Sequence, residues 1–333
     1  RQQDKATRQR LRELYAAAVD ELSAVIHAAG GGAESLGIEA LRNLRSQIEA
    51  RLGDLSGARN ELLGATLREA ADGGAAPWAA AGVVGVPDEA LRVVIHSAAA
   101  DGLRLSDRIW RLDRHAREAV TDAVEQAIIQ GRSASAAAQD FLRRGQAVPA
   151  SVRAQIGATA ADALSRRAGE ALMTGSGSPY DNALRLFRTE LNRAHGEAYR
   201  AAAFEVEDVI GTRFLLSPRH PRPDICDMHA RVNRHGLGPG VYPHGRSPWP
   251  AHPNTLSFEE VVFADEVTSE DRAGQQDRLS WLRSQPSGTQ RAILGDHKRG
   301  ALRAGLLTER QINSRWRDLK RRYERQGIDT GAL

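Results

Sequence analysis

A chain of 333 residues, 41% hydrophobic and 26% charged, is long enough for about two domains with a sizeable core and has the balance of a soluble globular protein. Its longest weakly apolar run, residues 75–86, is broken by Pro77, Gly82 and Gly85 and falls short of the about 20 residues that a bilayer span needs, so no membrane partner is expected. One cysteine, Cys226, excludes an internal disulfide and a CxxC metal knuckle and suits a reducing compartment. The chain opens on Arg1, Lys5, Arg8, Arg10 and Arg12 in polar surroundings, without a secretory pattern. It does not open on methionine, so residues are expected before Arg1. The net charge of +4 is uneven. Residues 272–333 carry 14 Arg or Lys against 6 Asp or Glu, a net of +8, and the remainder carries 32 against 36, a net of −4. Only Lys5, Lys298 and Lys320 are lysines, a bias that suits phosphate binding and also follows from a GC-rich genome.

In chain order, residues 4–29 place Leu11, Leu14, Ala18, Leu22, Val25 and Ile26 on one stripe and predict a helix that Gly30, Gly31 and Gly32 end. Leu41, Leu44, Ile48, Leu52 and Leu55 predict a second helix over 38–70, weakened or bent at Gly53 and Gly57. Residues 72–86, rich in Gly and Ala, read as a linker, and Pro87 suits the first turn of a helix reaching about residue 100. Ser106 reads as the N-cap of a helix carrying Ile109, Leu112, Ala116, Val120, Val124 and Ile128, with Gly131 as its end and Ser133 or Ser135 as the cap of a shorter helix to about 144. One helix is predicted over 150–174, a break over 175–179, and a long helix from Asp181 to about 206. These elements, with short connections, predict an elongated or bundled helical region.

After Asp208 the pattern changes. Residues 209–217 and 261–263 read as strands. Between them, residues 218–253 hold eight of the thirteen prolines, five of the ten histidines and Cys226. That proline density forbids a long helix, and a long irregular loop inside a folded chain is usually functional or disordered. Its clustered histidines and Trp-Pro turns point to the first. Helices resume near 273 and reach about 326, with breaks at Pro286 and Gly295. The predicted fold is mainly α (α+β): an N-terminal helical arm (1–72), a helical domain (87–178), a domain with a short sheet and the Pro/His loop (179–310), and a basic C-terminal helix (311–333). No internal repeat is visible.

Three separated blocks carry a resemblance. The first is Arg188-Thr189-Glu190 with Arg193, Ala194 and His195 on the long helix. The second is Asp224, Cys226 and His229 after the strand, followed by Pro250, His252, Pro253 and Asn254. The third is Trp281-Leu282, Gln285-Pro286, Gln290, Leu294-Gly295 and Gly305. In this order and spacing the chain resembles the Mu F-like minor head proteins of tailed bacteriophages, the phage head morphogenesis family, over about residues 180–310. Ser106 to Trp110 also looks like segments upstream of that domain in phage proteins. The family usually has two cysteines where this chain has Thr255 and Ser257, and a hydroxyl is a poor zinc ligand beside a thiolate.

Cys226 and His229, separated by two residues, would make half of a tetrahedral site that His244 and His252 could complete; with the two downstream cysteines missing, these side chains are expected to cap turns, with no cofactor. Arg222 and Asp224 are expected to order the loop. Asn233 and Asn254 beside the histidines invite comparison with metal-dependent His-Asn-His nucleases, but the hairpin and helix that would hold such a site are not evident. No nucleophile elbow, phosphate loop or HExxH is present, so no catalytic residue is expected. Arg188, Glu190 and Arg193 are expected to form a buried ion-pair network docking their helix on the sheet, with Glu190 paired to Arg193. Trp110, Trp249 and Trp281 are expected to be packing anchors. In the tail, Ile312, Trp316, Leu319 and Tyr323 form an apolar stripe that needs a partner, in this chain or another. Arg315, Arg317, Lys320, Arg321, Arg322 and Arg325 fall mostly off that stripe and could meet DNA phosphates or an acidic protein.

The resemblance implies a minor capsid protein needed for head assembly, residing in the virion near the portal vertex and in the host cytoplasm during assembly. Its implied partners are the portal protein, other head proteins and packaged double-stranded DNA, with no small-molecule substrate. Two alternatives remain at this point: a metal-dependent nuclease or phage-borne effector using the Pro/His loop, and a non-sequence-specific DNA-binding protein acting through the basic tail.

Overall fold

The structure, a computed structural model, describes residues 2–29, 38–83, 85–99, 102–157, 161–220, 222–252, 255–331 and 333. The glycines at 30–32, with Pro253 and Asn254, lie outside the described residues. The fold is mainly α with one small sheet. Among the described residues no helix is long and apolar enough to cross a membrane. The chain divides into two compact units, residues 1–70 with 92–192, and residues 71–91 with 193–333.

The first unit is helical. α1 (Gln2–Ala28) buries Leu11, Tyr15, Ala18, Leu22 and Ile26. Tyr15 takes the core position expected of Leu14, which stays half-buried together with Val25. α2 (Ile38–Ala75) buries Leu44, Ile48, Leu52, Leu55, Leu63 and Leu67, and it continues through Gly53 and Gly57, where an added Cβ would meet nothing. It also continues through Gly73 and Gly74, which were expected in a linker. A 3-10 turn (Ala76–Ala81) and α3 (Val86–His96), with Pro87 in its first turn, follow.

α4 (Leu105–Arg143) is one helix of 39 residues where two were predicted. Val120, Val124 and Ile128 before Gly131, and Ala134 and Ala138 after it, are buried. That shared stripe outweighs the roughly 1 kcal/mol helix penalty of a glycine. Ser133 and Ser135 therefore lie mid-helix and cap nothing. Ser106 is not the N-cap either: the Asp107 carboxylate accepts from the Arg104 N–H at 3.0 Å and starts the helix at Leu105. α5 (Ala150–Gly157) and α6 (Ala161–Met173) stand on either side of residues 158–160. α6 packs on α1 and α4, and Gly169 lets it approach α1, since a Cβ there would come within 2.9 Å of Val19 Cγ1. α7 (Pro179–Ala203) starts two residues before Asp181, because the Ser178 hydroxyl accepts from the Asp181 N–H at 3.2 Å.

The second unit carries the sheet, in the order β2-β1-β3 and antiparallel throughout. β1 (Val209–Leu215) and β3 (Phe258–Phe263) occupy the two predicted strand regions; β2 (Val241–Tyr242), only two residues long, had no sequence signal. Thr212 stands centrally, opposite Tyr242 on one side and Val261 on the other. The Pro/His segment is less irregular than expected, since it contains α8 (Ile225–Arg231) as well as β2. After β3 come α9 (Ser269–Ala273), α10 (Arg278–Ser284), α11 (Ser287–Arg303) and α12 (Trp316–Arg325). α11 kinks at Gly295, whose φ of 74° is left-handed, at the predicted break. One core gathers Met228 and Val232 with Trp281, Leu282, Leu294, Leu302, Leu319 and Tyr323; another joins Phe214, Cys226, Tyr242 and Trp249.

Candidate functional site

The Pro/His segment is organised by α8. The Asp224 carboxylate accepts from the Cys226 N–H at 2.7 Å, and Asp227 accepts in return from the Asp224 N–H at 2.9 Å, so the helix start is closed reciprocally. His220 Nε2 lies 2.9 Å from Asp227 and ties the entering chain to the same turn. Asp224 thus orders the loop as expected, whereas Arg222 is exposed. The cap turns Cys226 inward, fully buried among Phe214, Tyr242 and Trp249.

Around the Cys226 sulfur stand His252 Nε2 at 3.2 Å and Thr255 Oγ1 at 3.6 Å. Burial pushes the thiol up to about 11, with the Ser257 and Thr255 hydroxyls pulling weakly the other way. Both hydroxyl residues are buried. They are the two that stand where the resembled family has cysteines, and both face Cys226. Asp224, Cys226 and His252 each bring one possible ligand atom to within 4.8 Å of the others, and His220, Asp224 and Asp227 form a second such group. The other two candidate ligands lie elsewhere. His229 Nδ1 sits 3.3 Å from the Tyr242 hydroxyl, which donates to the His229 carbonyl at 3.0 Å. His244 is exposed and stacks on Phe204, with 4.4 Å between ring centroids. The four-ligand set Cys226, His229, His244 and His252 is therefore not assembled. What surrounds Cys226 is one thiol kept protonated, one imidazole, one carboxylate and two hydroxyls, which does not fit a structural zinc.

His229 is pushed down to about 3, first by burial and then by the Arg278 and Arg234 charges. A general base works best with a pKa near the working pH, and His229 is far from it. Of the two asparagines in the nuclease comparison, Asn254 lies outside the described residues and Asn233 is buried. Its amide donates to the Asp271 carbonyl and accepts from the Gly238 N–H, which joins the loop to α9.

On α7, Arg188 is exposed, while Glu190 and Arg193 are buried. Glu190 pairs with Arg108 of α4, so this carboxylate braces two helices of the first unit. Arg200, which the sequence did not single out, joins α7 to the sheet. Arg200 reaches Glu259 of β3 at 3.0 Å and Glu197 at 2.6 Å, and donates to the Trp249 carbonyl at 3.1 Å. Its guanidinium lies 5.3 Å from the Trp249 ring centroid. Burial alone would pull Arg200 down, but the Glu259 and Glu197 charges more than offset it and leave it raised. Glu259 is itself raised by burial, and it also accepts from Thr212 at 2.8 Å and from Ser247. Beside this cluster Gly196 leaves room for Trp249, since an added Cβ would clash with the indole ring. In the same unit, a Cβ on Gly74 would overlap the His195 carbonyl oxygen, so this glycine near the end of α2 serves close packing. Two signals were available: Arg200 is seven residues after Arg193, on the same helix face, and Glu259 breaks the apolar face of a strand.

Trp249 and Trp281 are buried anchors as expected. Trp110 is not: it is 59% exposed on α4, two residues off the buried stripe at Leu112, with the Arg114 guanidinium 4.9 Å from its ring centroid. In the third block, Gln290 is buried and donates to the Leu282 and Gln285 carbonyls at 3.1 and 3.0 Å, bracing the α10–α11 turn at Pro286. Trp281, Leu282 and Leu294 enter the core, and Gly305 follows α11 with a φ of 72°. Arg278, buried at the start of α10, holds Glu309 at 2.6 Å.

In the tail, Ile312, Leu319 and Tyr323 are buried in that same core with Trp316 packed against it. Arg315, Arg317, Lys320, Arg321, Arg322 and Arg325 are exposed. Compared with known proteins, the chain matches no family model, no curated protein and no solved structure.

Proposed function

We propose that this chain is a minor head protein of a tailed bacteriophage, an assembly component of the virion near the portal vertex, with the portal protein and other head proteins as partners and no reaction of its own. The observation that carries the reading is the state of the Pro/His segment. Its most chemically capable groups, Cys226 and His229, are buried and held neutral, the one pushed up to about 11 and the other down to about 3. Neither is poised as nucleophile or base near neutral pH. The remaining residues of the resembling blocks support the same reading by their contacts: Asp224 caps, Trp281 and Leu294 pack, Gln290 braces, Glu190 pairs. A metal-dependent nuclease that used His229 as its base would need that imidazole free to act, and one that used His252 is the outcome the test below addresses.

The test is virion composition. Mass spectrometry of purified particles from the phage encoding this chain should find it, and tagged chain should retain the portal protein. Incubation with duplex DNA and magnesium, manganese or zinc should give no cleavage. Absence from particles, or cleavage lost on His252→Ala, would overturn the proposal.

A further inference from the structure

We infer that the outward face of α12 is a binding surface for the phosphate backbone of duplex nucleic acid, without preference for sequence. The sequence left two uses open for this helix, because an amphipathic helix can offer a partner either its apolar or its basic side. The structure removes the first. Leu319 and Tyr323 are buried in the chain's own core and Trp316 is packed against it, with His297 stacked on its ring at 4.9 Å. The side left for a partner is the basic one.

That side is concentrated charge. Five arginines and Lys320 fall between residues 315 and 325, over about 15 Å of helix at 1.5 Å per residue. Its two acids are engaged along the helix, Asp318 at 3.9 Å from Arg317 and Glu324 at 3.7 Å from Lys320. Among the described residues, Arg315, Arg321, Arg322 and Arg325 have no carboxylate within 4.0 Å; Arg325 donates only to the Arg321 carbonyl, at 3.2 Å. The surface also lacks what a protein partner needs. Protein interfaces are anchored by aromatic or aliphatic side chains at their centre, and here every such residue of the helix faces inward. A nucleic-acid interface needs no such anchor and is far more positive. Duplex DNA offers one negative charge per about 1.7 Å, enough phosphate along the about 15 Å of this face to engage every one of its cations, and arginine grips phosphate as a fork. The helix carries no Asn and no Gln to read adenine edges, and cations that neutralise phosphates carry no sequence information.

This inference does not depend on the head-protein reading: loss of duplex binding would leave virion incorporation untouched, and absence from virions would leave the binding. The test uses the full chain and two short duplexes of unrelated sequence, with fluorescence anisotropy across about 50 to 200 mM salt. Both duplexes should bind equally, with log K falling linearly against log salt. Neutralising Arg315, Arg321, Arg322 and Arg325 together to Gln should weaken binding by at least about tenfold and flatten the salt slope by roughly 3 to 4, at about 0.9 for each phosphate no longer neutralised. The thermal midpoint of that variant should stay at the wild-type value, because all four side chains are exposed. No duplex binding, binding unchanged in the quadruple variant, strong preference for one sequence, or capture of polyglutamate in place of DNA would each overturn the inference.

Discussion

Residues 193–333 bury two polar clusters built on opposite principles. Around Arg200, charge is buried and answered: two carboxylates, a backbone carbonyl and an indole face surround one guanidinium, and Glu259 gains two hydroxyl donors besides. Around Cys226, burial holds the thiol neutral, and the space is closed by the His252 ring, hydroxyls and aromatic rings. The comparison separates chemical promise from mechanical role. Cysteine and histidine look functional in a sequence, yet here they are packed. Arg200 and Glu259 look ordinary, yet they join helix to sheet.

The largest effect should come from the charged cluster. Arg200→Ala leaves Glu259, only 2% exposed at its side chain, without its counter-charge. Stranding one partner of a buried pair costs about 3 to 5 kcal/mol, against about 1 kcal/mol or less for a surface pair. Chemical denaturation of the two proteins measures the difference. A loss below about 1 kcal/mol would mean that this pair docks nothing.

The neutral cluster can be converted toward the other kind. Thr255→Cys with Ser257→Cys would place three thiols and His252 around one point. The present spacings, 3.6 Å to Thr255 Oγ1 and 3.2 Å to His252, approach the about 3.8 Å separating sulfur ligands on a tetrahedral zinc with 2.3 Å bonds. The double variant should bind one zinc and gain about 2.7 kcal/mol of stability when zinc stands a hundredfold above its dissociation constant. Wild-type protein should gain none. A folded double variant that ignores zinc would show that positions 255 and 257 do not face a shared centre.

How much of this was legible in the sequence differs by mechanism. Helices with an unbroken stripe, such as α1 and α12, were readable because burial follows the period of 3.6. The long α4 was not, because Gly131 is a local signal and the stripe that overrides it is made in three dimensions. Trp110 misled for a related reason: aromatic size suggests burial, but helical phase decides it. β2 was invisible, since two residues carry no period and owe their strand to pairing with Thr212 and Arg213. In the candidate site, Asp224, Cys226 and His252 converge as their spacing allowed, while His229 and His244 face other elements. Nothing in a sequence tells which side of a short helix such as α8 meets a sulfur.

The smallest effect per pH unit concerns His229, on the same short helix as Cys226 but turned to the Tyr242 hydroxyl. Its folded-state value of about 3 lies below the ordinary 6.5, because burial and two nearby arginines oppose the charged form. Below about pH 6.5 the unfolded chain takes up a proton here that the folded chain refuses, so folding loses up to about 1.4 kcal/mol per pH unit as acid is added. Above that value both states are neutral and the contribution is constant. His229→Gln cannot titrate, and its stability should fall less steeply between neutral pH and about pH 4.5. Urea midpoints for both proteins across that window provide the measurement. The slopes should differ by about one proton; parallel curves would mean that the imidazole ionises freely in the folded chain. In that case the loop would hold a base after all, and the contrast between its buried neutrality and the charged Arg200 cluster would fail at the residue on which it most depends.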